Sequence, residues 1–252
     1  MSERKFMKVT NIKDKLAEMG IDPQSIVMGD FDAIGEFTAK RQRGIEDPNY
    51  KKYGAYYRAN YERGILIYFL IRCFNIQSVL EIGFGRGYSA FCAAKAFHDG
   101  GINGKITTVD PALDEKQINP LTQVFPKQWF EKIQFVRGPS QTVVPGLEGN
   151  FDLIYIDGDH SYEATKTDWE NCKSKNPKIV LFDDYHLPTK EDPGIQCAKA
   201  IDEIDWNVEG FDAPELIRLD RRMFLDERGY TDDQVNYGQV LAFRKGVNDS
   251  EW

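Results

Sequence analysis

Two short segments of the chain concentrate side chains that could hold a metal ion and move a proton. The first contains Asp157, Asp159 and His160, and the second contains Asp183 and Asp184. Each segment follows an apolar run, so both are expected at the ends of buried strands. Carboxylates brought together repel one another unless a cation or protons intervene. Three carboxylates with open positions suit Mg²⁺ or a similar divalent ion, so Asp157, Asp183 and Asp184 are the predicted metal ligands.

A glycine-rich segment supplies a second kind of chemistry. Gly83, Gly85 and Gly87 lie between an apolar strand-like run and a helix-like run, which predicts a tight turn whose backbone can approach a ligand at a helix N-terminus. The spacing is G-x-G-x-G, with Glu81 two places before the first glycine, whereas dinucleotide sites space their glycines G-x-G-x-x-G. The segment therefore favours a nucleotide-type ligand other than NAD.

One candidate for such a ligand is S-adenosylmethionine, which has an amino acid end, a ribose and an adenine but no phosphate. Asp110 is placed to bind its ribose. Asp110 ends the second apolar run, where carboxylates of such folds accept hydrogen bonds from ribose hydroxyls. Its alternative role is to cap a helix or form a turn before Pro111.

The elements that must position these residues form a regular pattern. Short apolar segments without alternation indicate strands buried on both faces, and the helical stretches between them make the sheet parallel. These segments are Ser78–Ile82, Lys105–Val109, Ile133–Val136, Asp152–Ile156 and Lys178–Phe182. With two later candidates, Leu216–Leu219 and Gln239–Phe243, they predict a doubly wound α/β fold with a mostly parallel, seven-stranded sheet.

The bulk composition limits the class of protein. A chain of 252 residues with 41% apolar residues is expected to form one domain with additions, here a helical extension over residues 1–57 and a binding domain over residues 58–252. Within the extension, Ile12–Met19 and Asp32–Arg43 are helix-like, and no strong strand is predicted. Gly64–Phe74 should form an apolar helix before the first strand of the binding domain.

Charge and cysteine content exclude several partners. A net charge of −8 argues against a protein that tracks a nucleic-acid backbone, and a small or uncharged substrate fits better. The four cysteines are widely spaced, so neither a zinc cluster nor a disulfide framework is indicated. No signal-peptide pattern or membrane-length apolar run occurs, and a cytoplasmic location is expected.

Several motifs in the predicted order resemble one known family. From Val79 to about Ile201 the sequence resembles the class I S-adenosylmethionine-dependent methyltransferases, and within them the metal-dependent O-methyltransferases of the catechol, caffeoyl-CoA, macrocin and novobiocin types. The segments that carry this resemblance are Leu80-Glu81-Ile82-Gly83, Gly87-Tyr88-Ser89-Ala90, Gly138-Pro139-Ser140-Gln141 and Asp157-Gly158-Asp159-His160-Ser161-Tyr162.

The resemblance implies roles for individual residues. Ser89 would help hold the methionine carboxylate, and Ser140 and Gln141 would contact the adenine. The other residues implied in cofactor binding are Glu81, Gly83, Gly85, Gly87, Tyr88, Asp110 and Asp157. The metal triad of this family matches Asp157, Asp183 and Asp184, with Asp in a third position that is often Asn.

Methyl transfer from a sulfonium also needs a group that removes the proton of the acceptor hydroxyl. Asp159 corresponds to the general base proposed in the sugar-modifying relatives, and His160 falls where catechol-type enzymes have a lysine. Asp159 is the predicted base and His160 the second candidate. Asp159 alternatively caps the helix that follows.

The sequence thus predicts a Mg-dependent O-methyltransferase for a hydroxylated small molecule of sugar or natural-product type, compatible with a homo-oligomer and with no nucleic-acid or membrane partner. An NAD-dependent oxidoreductase and a non-catalytic cofactor-binding module are the alternatives. The substrate walls are expected from the N-terminal extension and from Leu187–Pro193 and Phe211–Gln239. The aromatic and basic residues that either line the entrance or pack the extension are Tyr53, Tyr56, Tyr57 and Arg58.

Overall fold

The structure is a computed structural model that describes residues 7–27, 29–31, 33–35, 61–186, 196–218 and 237–247. Several predictions lie outside these residues: most of the Asp32–Arg43 helix, the tyrosine-rich segment that includes Arg58, the loop Leu187–Pro193, and most of Phe211–Gln239. The predicted division of the chain after residue 57 also stays a prediction, because residues 36–60 are among those not described.

Eight strands form a single sheet in the order β1-β7-β8-β6-β5-β2-β3-β4. All neighbouring pairs are parallel except those of β8 with β6 and β7, so β8 alone runs against the others. The strands are β1 (Lys8–Asn11), β2 (Ser78–Ile82), β3 (Lys105–Asp110), β4 (Ile133–Arg137), β5 (Leu153–Ile156), β6 (Ile179–His186), β7 (Glu215–Arg218) and β8 (Tyr237–Phe243).

Helices cover both faces of this sheet. They include the α-helices α1 (Ile12–Glu18), α2 (Tyr61–Cys73), α3 (Tyr88–Asp99), α4 (Glu115–Ile118), α5 (Lys127–Phe130), α6 (Ser140–Gly146), α7 (Tyr162–Lys173) and α8 (Cys197–Asp202). Apolar residues of α1, α2 and α3 pack with the side chains that β5 and β6 present on one face. Those of α6, α7 and α8 pack on the opposite face. This arrangement confirms the predicted doubly wound, mostly parallel α/β fold.

One strand was not expected. β1 pairs in parallel with β7 at the edge of the sheet, so the sheet has eight strands rather than seven. Its sequence, Lys-Val-Thr-Asn, contains a single strongly apolar residue, Val9, which is exposed. An edge strand this short gains its stability from backbone pairing with β7, which leaves little pattern in the sequence.

The order of the strands determines where a ligand can bind. The chain passes from β2 outward to β3 and β4, then returns to β5 on the other side of β2. A crevice therefore opens at the carboxyl ends of β2 and β5, the position where ligands bind in open α/β sheets. No helix of the described residues is long and apolar enough to cross a membrane.

Candidate active site

The glycine loop, residues 83–87, joins β2 to α3 at this crevice. Gly83, Gly85 and Gly87 have φ angles of 90°, 50° and 83°, a backbone conformation that residues other than glycine rarely adopt. A Cβ on Gly83 would lie 2.0 Å from the carbonyl oxygen of Asp157, and a Cβ on Gly87 would lie 2.5 Å from the ring of Phe84. A Cβ on Gly85 would meet nothing within 4 Å. The loop thus packs tightly on its inner side and is open at Gly85.

Glu81 lies beneath the loop and is 2% exposed. It accepts a short hydrogen bond from the hydroxyl of Ser89 and one of 2.5 Å from Thr108 Oγ1. Burial raises the pKa of Glu81 to about 7, although these hydrogen bonds act in the opposite direction. In this structure Glu81 and Ser89, both predicted to bind cofactor, hold the start of α3 against β2 and β3.

Asp110 ties the same loop to the end of β3. Its Oδ2 accepts from the backbone N–H groups of Phe84 and Gly85 at 3.0 and 3.1 Å, and its Oδ1 accepts from that of Ala112 at 2.7 Å. A carboxylate has about four acceptor positions. Asp110 therefore shapes the loop and keeps capacity for the ribose hydroxyls that the sequence assigned to it.

The predicted adenine contacts divide into one buried and one exposed residue. Ser140 is 8% exposed, and its hydroxyl donates to Asp168 Oδ1 at 2.5 Å, which joins α6 to α7. Burial raises the pKa of Asp168 to about 6. Gln141 is exposed beside it at the start of α6. The structure therefore gives Ser140 a partner within the protein, which the sequence analysis did not foresee.

Register brings the acidic segments together. Ile156 pairs with Phe182 in the parallel β5–β6 ladder, so Asp157 and Asp183 follow side by side at the carboxyl edge. The pairing of β6 with β8 is irregular between Phe182 and Tyr185, and Asp184 has a φ of 51°. Consecutive residues of a regular strand point to opposite faces, whereas a bulge changes the direction of a side chain. This irregularity lets Asp183 and Asp184 face the same group.

That group is the guanidinium of Arg63, on α2. Its Nη1 lies 2.7 Å from Asp183 Oδ2, and its Nη2 lies 2.6 Å from Asp184 Oδ1. Nη1 is also 3.9 Å from Asp157 Oδ2. We call Asp157, Asp183 and Asp184 the acidic cluster. Arg63 therefore contacts every member of the cluster that was predicted to bind a metal.

Tyr155 completes the buried side of the acidic cluster. Its hydroxyl forms a short hydrogen bond with Asp183 and lies 3.2 Å from Asp157 Oδ2. Burial and the neighbouring Asp183 raise the pKa of Asp157, while Arg63 lowers it. Burial also raises the pKa of Asp183 and of Tyr155. Burial and mutual repulsion therefore oppose full ionisation of the three carboxyl groups, and a cation beside them stabilises their charged form.

The two candidate bases differ in position. Asp159 is exposed, and its Oδ1 accepts from the backbone N–H of Ser161 at 2.8 Å. This hydrogen bond lowers the pKa of Asp159. His160 instead faces the acidic cluster, with Nε2 3.4 Å from Asp184 Oδ2. Ser161 caps α7 through its side chain, so the capping role expected as the alternative for Asp159 belongs to Ser161.

Among the described residues, Asp157, His160 and Asp184 can each offer one ligand atom, and these atoms lie within 4.8 Å of one another. The predicted triad instead includes Asp183, whose side chain is fully buried and bound by Arg63 and Tyr155. Two carboxylates and an imidazole suit Mn²⁺ or Zn²⁺ better than Mg²⁺, which prefers oxygen ligands alone.

Sequence reasoning missed Arg63, Tyr155 and Asp168. Arg63 is a charged residue directly before the apolar run that begins at Gly64, which is a weak sign of function. Tyr155 carries the one hydroxyl in β5. Asp168 resembles any polar residue of an amphipathic helix, and nothing in the sequence separates it from the exposed acids of α7.

Comparison with known proteins supports the class that the fold and site define. Residues 80–185 match the family described as a methyltransferase domain. Over 103 residues the chain is 29% identical to caffeoyl-CoA O-methyltransferase 1 of Eucalyptus globulus. The aligned region makes up 39% of this chain and 40% of that protein. Over 90 residues the chain is 32% identical to the O-methyltransferase hkm8 of Aspergillus hancockii, covering 35% of this chain and 34% of that protein. The chain thus spans about two fifths of the length of these curated relatives or less.

Solved structures share the fold over most of the chain. The O-methyltransferase TomG of Streptomyces achromogenes, solved with SAM, has a TM-score of 0.60 at 17% identity and covers 84% of this chain and 90% of its own. An O-methyltransferase of Bacillus cereus, solved with SAH, has a TM-score of 0.58 at 14% identity and covers 93% and 97%. The predicted resemblance to the class I methyltransferases is confirmed, and the matched domain contains the glycine loop, Asp110 and the acidic cluster.

Proposed function

We propose that the chain transfers a methyl group from S-adenosylmethionine to a hydroxyl group of a small molecule. The observation that carries this proposal is the contact between Gly83 and Asp157, where an added Cβ would lie 2.0 Å from the Asp157 carbonyl oxygen. Because the glycine loop touches the start of the acidic cluster, a methyl donor on the loop would face an acceptor at the cluster. In-line displacement requires this adjacency.

The reaction assigns a task to each side of the crevice. The bond between the sulfonium sulfur and the methyl carbon breaks as the bond from the acceptor oxygen to that carbon forms. The sulfur leaves as a neutral thioether, and the hydroxyl proton passes to a base. Asp110 and the glycine loop would position the donor, while residues after β5 and β6 would position the acceptor and take the proton.

His160 is the better candidate for that base in this structure, although the sequence favoured Asp159. His160 lies 3.4 Å from Asp184, a carboxylate that would partner the imidazolium formed when His160 accepts a proton. Asp159 is exposed and bound to Ser161, and its lowered pKa makes it a weaker proton acceptor.

A divalent cation, expected from the sequence to be Mg²⁺, would assist the transfer at the acidic cluster. The donor set supports it, because partly exposed carboxylates of Asp157 and Asp184 lie beside the buried Asp183. When bound, such an ion lowers the pKa of an acceptor hydroxyl and fixes its position. Asp157, Asp183 and Asp184 would hold it, so that the one acceptor nitrogen of the His160 imidazole stays available for the proton.

The acceptor is proposed to be a hydroxylated small molecule of sugar or natural-product type rather than a nucleic acid. The net charge of −8 supports this choice. A cytoplasmic location is proposed from the four free cysteines, which suit a reducing compartment.

Calorimetric titration of the chain with S-adenosylhomocysteine, S-adenosylmethionine and NAD⁺ tests the cofactor. Both adenosyl ligands should bind with one site per chain, and at about 100 times their dissociation constant each should stabilise the fold by about 2.7 kcal/mol. NAD⁺ serves as the control and should bind neither tightly nor at this site. Binding of NAD⁺ without binding of either adenosyl ligand would support the oxidoreductase alternative instead.

Two matched variants test the base once an acceptor is found by screening hydroxylated compounds for S-adenosylhomocysteine release. His160→Gln should lower the rate of methyl transfer by about 10²-fold or more, because proton transfer to a positioned base contributes this much. Asp159→Asn, one residue away, should change the rate by less than about tenfold and leave cofactor affinity intact. The reverse order of effects would restore Asp159 as the base.

A further inference from the structure

We propose that Arg63 is a built-in cation of the acidic cluster, and that a divalent ion can bind the carboxylate oxygens of Asp183 and Asp184 that Arg63 contacts only by displacing its guanidinium. This inference rests on the cation site of the proposed function. Arg63 would then control access of the metal, because its guanidinium and the divalent ion compete for the same carboxylates.

The geometry of Arg63 resembles a fork across two carboxylates. Nη1 contacts Asp183 at 2.7 Å and Nη2 contacts Asp184 at 2.6 Å, with Asp157 next to Nη1 at 3.9 Å. Divalent ions of this size bind carboxylate oxygens at about 2.1 Å. An ion bound to these same oxygens would overlap the guanidinium, so the two cations exclude each other.

Burial makes Arg63 depend on charged partners. Its side chain is 12% exposed, so water contributes little to the solvation of the guanidinium. A buried charge needs partners of opposite sign, and the carboxylates of Asp183 and Asp184 are among those that stabilise Arg63 in this position.

Close packing fixes the backbone beside Arg63. A Cβ on Gly64 would lie 2.4 Å from Cys92 Sγ and 2.7 Å from the hydroxyl of Tyr88. α2 therefore approaches α3 at a distance that only glycine permits, and Tyr88 directly follows the glycine loop. Because α2 has no room to move closer to α3 at this point, entry of a divalent ion at the oxygens that Arg63 contacts would require the Arg63 side chain to swing away.

Metal titration of the full chain without cofactor tests this inference. Mn²⁺ is the probe, and electron paramagnetic resonance measures the free ion. Arg63→Gln should bind Mn²⁺ at least about tenfold more tightly than the wild type, because the ion no longer has to break two charge-assisted hydrogen bonds. Arg72→Gln is the control: Arg72 lies on the same helix but is exposed, so its loss should leave affinity unchanged.

Arg63→Lys covers the case in which Arg63→Gln fails to fold because buried carboxylates lose their partner. Lysine keeps the charge, but its ammonium cannot span Asp183 and Asp184 as the planar fork does. Its Mn²⁺ affinity should lie between those of the wild type and Arg63→Gln. Equal or weaker Mn²⁺ binding by the Arg63 variants, or no Mn²⁺ binding by any of the proteins, would overturn the inference.

Titration of the same proteins with S-adenosylhomocysteine separates this inference from the proposed function. Unchanged S-adenosylhomocysteine affinity together with equal Mn²⁺ affinity in wild type and variants would reject the role of Arg63 and leave the methyltransferase proposal intact. Absence of S-adenosylhomocysteine binding in the wild type would reject the methyltransferase proposal, and with it the reason to expect a catalytic metal.

Discussion

The glycine loop and the acidic cluster touch at the carboxyl edge of the sheet, but they are built in different ways. The loop and its partners Glu81, Ser89, Thr108 and Asp110 come from one stretch of chain that includes β2 and β3. The acidic cluster draws on α2, β5 and β6, and the bond from Arg63 to Asp184 spans 121 residues. Local sequence therefore encodes the glycine loop, and folding assembles the acidic cluster.

The forces that hold the two regions differ as well. The glycine loop depends on positive φ angles and close approach of backbone, which are steric requirements. The acidic cluster depends on balanced charge, because its buried carboxylates need Arg63 as a partner. Substitutions should consequently fail by steric conflict in the loop and by loss of charge balance in the cluster.

The largest effect is expected from a substitution that breaks the contact between the glycine loop and the acidic cluster. Gly83→Ala should lower the free energy of unfolding by about 4 kcal/mol or more, because the new Cβ meets the backbone of Asp157 and neither side can move freely. Gly85→Ala is the matched control, since its Cβ meets nothing within 4 Å. It should cost about 1 kcal/mol, the penalty of the left-handed conformation alone.

Urea unfolding of both alanine variants measures this difference. Similar losses for Gly83→Ala and Gly85→Ala would mean that the contact between the glycine loop and Asp157 adapts, and that the two regions are less tightly joined than the structure indicates.

The glycine loop should also depend on charge, through the buried carboxyl group of Glu81. The folded-state pKa is raised to about 7 from 4.5, so the folded chain binds more protons than the unfolded chain between these values. The contribution of Glu81 to stability is therefore greatest below about pH 4.5 and is lost as the pH rises to about 7. Glu81→Gln does not titrate, so its stability relative to wild type should improve by up to about 3 kcal/mol between about pH 4.5 and about pH 8.

Unfolding curves for wild type and Glu81→Gln at both ends of this range provide the test. A difference in stability that stays constant with pH would show that Glu81 is charged in the folded protein throughout the range, and that burial does not raise its pKa.

The smallest effect concerns the backbone of the acidic cluster. Asp184 has a φ of 51°, a conformation that costs alanine about 1 kcal/mol but costs glycine almost nothing. Asp184→Ala and Asp184→Gly both remove the contact with Arg63, so their difference reports the bulge of β6 alone. Asp184→Gly should be the more stable of the two by about 1 kcal/mol in thermal or urea unfolding. The opposite order would show that β6 relaxes to a regular strand when the carboxylate is absent.

Much of the fold could be predicted because parallel strands covered by helices leave continuous apolar runs. The β2 boundaries, Ser78–Ile82, agree with those expected from the sequence, and the four strands β3, β4, β5 and β6 begin within one residue of prediction. β1 could not be predicted, since a four-residue edge strand depends on pairing with β7 rather than on its own pattern.

The sequence by itself determined most of the acidic groups at the carboxyl edge, because Asp110, Asp157 and Asp183 lie at or near the ends of strands that the apolar pattern reveals. The tertiary structure decided how those groups pair. Ser140 donates a hydrogen bond to Asp168, Asp159 accepts one from the backbone of Ser161, and Arg63 reaches the acidic cluster from a helix far away in the chain. Such pairings depend on register, on the bulge at Asp184 and on the approach of α2 at Gly64, and these are properties of packed elements that periodicity along a single chain does not record.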